Sequence, residues 1–256
     1  MYTAQKFSLP EFVSWTRRDI YRALFWAAVP TVLYHFLGFT FLAISWVPIA
    51  SLGTAVSLLV GFKNNVSYNR LWEARQAYGG IITTSRAFAA MARDFLAPTD
   101  PAVVPALFAR HYAWLTALRY QLREPRAWEN MDSAANREYA QRYRIPENET
   151  PLAQELARYL PAEQLAYLLT KQNLATQLLA EQSRHVNMLS EELTELQMSQ
   201  LQAVILLLGQ YQGRTEGLKN FPYPPNFASI TTILLYIFVL LVPFGLLNEF
   251  DKLGAN

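Results

Sequence analysis

Two long stretches of the chain carry no Asp, Glu, Lys or Arg: 38 residues from Phe25 to Phe62, and 28 from Phe221 to Asn248. A membrane-spanning helix needs about 20 predominantly apolar residues. The second stretch therefore predicts one span. The first predicts a tight hairpin of two, the second of them short or broken. Between the two stretches, residues 63–220 mix 17 basic and 16 acidic side chains with apolar residues at helical spacing. No alternation of period two persists anywhere, so the pattern predicts an all-α chain with a membrane part and a long helical part in water.

The first predicted helix runs from about Ile20 to Ser45, with Pro30 in its interior as a kink. Trp46-Val47-Pro48 marks the turn. The next helix, Pro48 to Phe62, contains Ser51, Gly53, Thr54, Ser57 and Gly61 among its apolar residues. Small and polar residues suit close helix contact or a pathway lining better than lipid. Residues 66–96 read as a further helix, ended by Pro98-Thr99-Asp100-Pro101, where Asp100 is placed to cap the next one. That one runs to about Leu122. A charged loop with three prolines covers 124–151, and helix resumes from Pro161 to about Gly217, with Leu165, Leu168 and Leu169 on one face. The last span runs from about Phe227 to Leu247.

These readings divide the chain into an N-terminal segment 1–24, a membrane hairpin 25–62, a helical cytosolic region 63–220, a membrane helix 221–248 and a short tail 249–256. Residues 1–24 hold Lys6, Arg17, Arg18 and Arg22 against Glu11 and Asp19. The positive-inside bias puts that flank in the cytoplasm of a multi-pass inner (plasma) membrane protein and the tail outside.

Composition now acts mainly by exclusion. Across all 256 residues, 22 basic and 20 acidic side chains leave a net charge of +2, too little for a protein that mainly grips nucleic acid phosphates. Absence of cysteine excludes a disulfide scaffold, a thiolate metal site and a Cys nucleophile. The mean hydropathy of +0.06 averages two different solvents. His35, His111 and His185 are far apart, and none has the i,i+4 partner of a zinc helix. His35 falls mid-membrane, where it serves either an intrabundle hydrogen bond or a proton relay. No metal, cofactor or catalytic set is expected.

Thr54, Leu58 and Phe62 stand at i, i+4 and i+8 on one helical stripe. Such a stripe either packs against another helix or lines a pore, where rings of Leu and Phe form a hydrophobic constriction. Directly after it, Lys63, Asn64 and Asn65 either cap a helix break or line an inner vestibule. Arg70 is spaced to pair with Glu73.

The segment PIASLGTAVSLLVGFKNNVSYNRLWEARQAYGG at 48–80 resembles the bestrophin family of ion channels, in its prokaryotic branch. Gly213 to Phe227, with Glu216, Pro222 and Pro224, and the later Val242-Pro243-Phe244-Gly245 extend the match. The resemblance implies a bestrophin-like helical bundle, a homopentamer around one central pore. It implies a channel for small monovalent ions, chloride by family and cations in some bacterial relatives, with the lipid bilayer and those ions as partners. It sets Thr54, Leu58 and Phe62 at the pore neck, Lys63, Asn64 and Asn65 beside it, and a cytosolic aperture near Leu196. Three positions depart from the family pattern: Lys63 replaces the commoner Arg, Tyr78 a Trp, and Thr54 an Ile, which makes the first ring more polar. The sequence ends before the family's fourth membrane helix and the acidic tail of eukaryotic members, so calcium activation is not implied. A membrane-anchored helical scaffold or sensor without conduction is the alternative, and it requires the 54/58/62 stripe to be buried in packing.

Overall fold

A computed structural model describes residues 8–96, 102–129, 136–138 and 145–254. The expected break at Pro98–Pro101 and residues 130–135 and 139–144 of the loop at 124–151 lie outside the described residues. The long regular elements are α1 (Leu9–Leu37), α2 (Trp46–Leu96), α3 (Val103–Arg123), α4 (Pro146–Glu149), α5 (Leu152–Leu156), α6 (Ala162–Leu169), α7 (Leu174–Met188), α8 (Glu195–Asn220) and α9 (Pro225–Gly254). A short 3₁₀ turn covers Thr40–Leu42. No strand occurs among the described residues. The chain forms two compact units, Met1–Tyr68 with Tyr223–Asn256, and Asn69–Pro222.

The first unit holds α1, the start of α2 and α9. Among the described residues three helical stretches, Phe12–Leu37, Thr40–Leu96 and Pro225–Phe250, are long and apolar enough to cross a membrane. The first helix begins and ends earlier than its hydropathy suggests. It starts at Leu9, because a charged flank is no obstacle to helix in an interfacial segment, and it stops at Leu37 because Gly38 takes φ +69°. That left-handed conformation suits glycine and ends helices. His35 is therefore in the last turn of α1; it is exposed, with its ring edge-on to Phe36 at 5.3 Å.

Helix directions follow from paired contacts. On α1 and α9, Trp26 Nε1 donates to the Leu240 carbonyl at 3.1 Å, and the Trp26 ring meets Phe244 edge-on at 6.4 Å. Further along both helices, His35 and Phe250 line one cavity of about 250 Å³. The numbers rise together, so α1 and α9 run parallel. Against α2 they run in opposite senses: Ile44 N–H donates to the Phe244 carbonyl at 3.2 Å, while Gly53 faces Phe238. A Cβ on Gly53 would lie 2.7 Å from the Phe238 ring, and one on Gly245 would meet Trp46 at 3.0 Å. Glycine at both places lets the helices approach where lipid provides no hydrophobic drive.

The second unit has a core of its own. Phe88 of α2, Leu107 and Trp114 of α3, Leu156, Leu168, Leu178, Leu201 and Leu208 are all sealed from solvent. Helix from 161 to 217 is divided by turns at 170–173 and 189–194. Asn173 caps α7 by accepting from Thr176 N–H at 2.9 Å, and Thr194 with Gln197 forms a capping box on α8. Leu168 points inward as expected, but Leu169 is exposed, since its short helix offers one apolar face and the next residue turns away from it. A polar chain crosses the core: Trp114 Nε1 donates to Gln212 Oε1 at 2.8 Å, and Gln212, Gln121 and Asn173 amides all donate to Glu216 Oε1. These bonds tie α3, α7 and α8 into one body.

Candidate functional site

The helices expected at 48–62 and 66–96 are one helix. α2 runs 51 residues from Trp46 to Leu96 without interruption. Asn64 and Asn65 therefore cap nothing. The backbone hydrogen bonds of the helix continue through Lys63. Pro48 falls in the first turn, where its missing N–H costs no helical bond.

The faces of α2 can be placed by helical geometry, at about 100° per residue. Ile49 and Val56 are buried. They sit about 160–180° around the helix from Leu58. Thr54, Leu58 and Phe62 occupy the opposite, uncovered side; Leu58 is 61% and Phe62 60% exposed in the protomer. Ser51, Gly61 and Asn65 share that face and are also exposed. From Thr54 to Phe62 the stripe covers about 12 Å of helix.

Ser51 and Gly61, already among the small residues of this helix, fall off the i+4 step; alternating steps of three and four residues bring both onto the stripe's face. The face they complete differs from a lipid-facing one. On α9 Asn226 and Ser229 near its start are exposed, but from Ile230 to Leu240 every exposed position is apolar or aromatic. On α2 the exposed face alternates Leu58 and Phe62 with Ser, Thr, Gly and Asn.

No side chain at 54, 58 or 62 titrates. The Thr54 hydroxyl donates to the Ala50 carbonyl at 3.1 Å and the Ser51 hydroxyl to Val47 at 3.1 Å. Their protons are thus committed to the helix backbone, and each oxygen presents only lone pairs outward. Beyond Phe62, Lys63 is half-buried while Asn64 and Asn65 are exposed. Arg70 does not pair with Glu73. Its guanidinium donates to the carbonyls of Leu218 at 2.8 Å and Phe221 at 2.7 Å, closing the C-terminal end of α8.

Leu196 belongs to the second unit, in the first turn of α8, and is 68% exposed. Elsewhere in this unit, His111 lies between Phe88, stacked at 5.2 Å, and Trp114 at 5.2 Å. Neither of its ring nitrogens has a partner, and burial pushes its pKa down to about 4. His185 Nδ1 lies 2.7 Å from Arg110 Nη1, and burial followed by that cation lowers its pKa as well. Among the described residues no group of three His, Asp or Glu is placed to hold a metal ion.

The chain is similar to voltage-dependent anion channel-forming proteins. It is 36% identical over 94 residues to RSc3414 of Ralstonia nicotianae, covering 35% of this chain and 29% of the relative. It is 25% identical over 221 residues to YneE of Escherichia coli K12, covering 84% of this chain and 62% of the relative. The chain thus spans less than two thirds of the length of these curated relatives. Its fold is that of a solved bacterial bestrophin homologue from Klebsiella pneumoniae, with a TM-score of 0.73 and 22% identity over 90% of this chain and 78% of that one. A family model described as bacterial/fungal bestrophin protein matches residues 17–254, and the chain belongs to that family.

Proposed function

We propose that this membrane protein is one subunit of a homopentameric ion channel, in which Thr54, Leu58 and Phe62 of each copy form a narrow hydrophobic neck. One observation carries the reading: the three residues share an uncovered, uncharged face of an unbroken helix whose opposite face is buried in its own unit. A scaffold without conduction would need that face covered, and the protomer leaves it bare. Rings of Leu58 and Phe62 repel water and restrict passage by diameter, while Thr54 and Ser51 add acceptor oxygens at one end. Asn64, Asn65 and Lys63 follow as a polar vestibule, and Leu196 forms a second constriction on the cytosolic side.

The names of the curated relatives speak for a channel rather than an enzyme, and for anions as the permeant species. With no charge at the neck, ion sign is set by the weakly charged vestibules. Arg17, Arg18 and Arg22 near the start of α1 favour a cytoplasmic N-terminus in the inner membrane. The test is the reversal potential of purified protein in planar bilayers under asymmetric potassium chloride. A shift to the chloride equilibrium potential supports an anion channel. A shift to the potassium potential makes it a cation channel, and no current from folded oligomer excludes conduction.

A further inference from the structure

We infer that the cleft between α2 and α3 in the second unit is a binding site for a small single-ring aromatic acid that carries a hydroxyl group. The site is separate from the stripe of α2 proposed above as the neck, and the channel reading does not depend on it.

Helical spacing brings two short faces together there. On α3, Phe108, His111, Tyr112 and Leu115 stand at i, i+3, i+4 and i+7, on one side of the helix. On α2, Ser85 and Ala89 are one turn apart, with Arg86 beside them. The two faces line an open cleft of about 220 Å³. An apolar cavity of about 150 Å³ holds one benzene ring. This cleft therefore takes one ring with small substituents and is too small to enclose a nucleotide.

Its polar groups select the substituents. Buried polar side-chain atoms are nearly always hydrogen-bonded. Among the described residues five have no partner in the protein, and three of the five belong to this cleft: Ser85 Oγ and both ring nitrogens of His111. His111 is only 8% exposed, and its ring is held by Phe88, stacked at 5.2 Å, and by Trp114 at 5.2 Å. Burial pushes its pKa down to about 4, so at neutral pH one ring nitrogen carries a proton and the other a bare lone pair. A ligand hydroxyl matches that pair of groups, since it donates to the bare nitrogen and accepts from the Ser85 hydroxyl. A carboxylate in the same place accepts only and leaves the lone pair unmatched. Phe108, Tyr112 and Leu115 supply apolar walls for a ring. Arg86 is exposed at the rim, and no acidic residue lines the cleft. A carboxylate at the outer end of the ring meets that guanidinium.

The test is calorimetric titration of the full chain in detergent at pH 7 with para-hydroxybenzoate, benzoate and phenol. Para-hydroxybenzoate should bind once per chain. Benzoate leaves His111 and Ser85 unmatched and phenol lacks the charge, so each should bind about tenfold more weakly or worse. Arg86→Gln should lower the affinity for para-hydroxybenzoate to that for phenol. His111→Leu should erase its advantage over benzoate, with helix content by circular dichroism unchanged in both variants. Should either variant fail to fold, the absence of cysteine from the chain gives a second readout. Ala89→Cys puts a single thiol on the cleft wall. Para-hydroxybenzoate should slow its alkylation by iodoacetamide several-fold, and benzoate at the same concentration should not. No binding of para-hydroxybenzoate at about 1 mM, equal affinity for the three probes, or alkylation at one rate with and without it would overturn the inference. So would a thiol that never reacts in the folded protein, because the cleft is then covered in the assembly. None of these outcomes bears on ion conduction.

Discussion

The two units of this chain use the same kinds of apolar residue in opposite ways. In the second unit Phe88, Leu178 and Leu208 are sealed inside a core. In the first, Phe25 and Phe36 stand 70% and 79% exposed, and few large side chains are buried. Water drives the first arrangement, since each buried side chain there leaves an unfavourable solvent. Hydrocarbon permits the second, where helices meet by close approach at Gly53 and Gly245. Exposure of an apolar side chain is accordingly ordinary in one unit and informative in the other. On the membrane unit the informative feature is the reverse: polar and small residues on an exposed face. Ser51, Thr54, Gly61 and Asn65 gather on one such face, where they flank Leu58 and Phe62.

The sharpest way to break this contrast is to truncate one phenylalanine in each unit. Phe88→Ala should destabilise the second unit by about 3–5 kcal/mol, through lost transfer energy and the cavity left behind. The readout is the shift in chemical denaturation of the purified protein. A shift under about 1 kcal/mol would mean that this core is not close-packed.

Acid should act next most strongly, again on the second unit. His111 titrates at about 4 when folded against an ordinary 6.5, so the folded state binds its proton less readily than the unfolded chain. Its contribution is present above about pH 6.5 and is lost as pH falls toward 4, amounting to about 3 kcal/mol. His111→Leu should remove that part of the slope and melt no lower than wild type at pH 7. Thermal unfolding of both proteins at intervals between pH 7 and 4.5 measures the difference. Equal slopes would contradict the burial of an unpaired imidazole.

The smallest effect belongs to the membrane unit. Phe36→Ala, at a position already open to lipid, should change stability by less than about 0.5 kcal/mol. A loss as large as that for Phe88→Ala would show that Phe36 is covered in the assembled protein.

Much of this contrast was legible in the residues before any coordinates. The uncharged runs at 25–62 and 221–248 predict where the solvent changes, because a charge inside hydrocarbon is expensive, and both fall inside the first unit, apart from Phe221 and Pro222. Continuity of α2 was not legible for the same reason: Lys63 and the two asparagines signal a new solvent, which resembles a helix end in hydropathy alone. The end of α1 at Gly38 was hidden by the apolar Phe39 to Ile44 that follow it. Spacing revealed the Thr54, Leu58 and Phe62 stripe, yet not which side of α2 would be covered, since that depends on the register of Phe238 and Gly245 from a helix far along the chain. The seclusion of His111 likewise requires Phe88 and Trp114 to converge from different helices.

The central claim is that the bare face of α2 is the wall of an ion pathway. Flux of chloride from proteoliposomes loaded with wild type, Leu58→Ala and Phe62→Ala tests it most directly. The account predicts that wild type releases chloride and that each truncation, by widening a hydrophobic ring, raises the rate several-fold at equal amounts of assembled protein. Assembled protein that releases none, or that releases it at a rate indifferent to both substitutions, would contradict it.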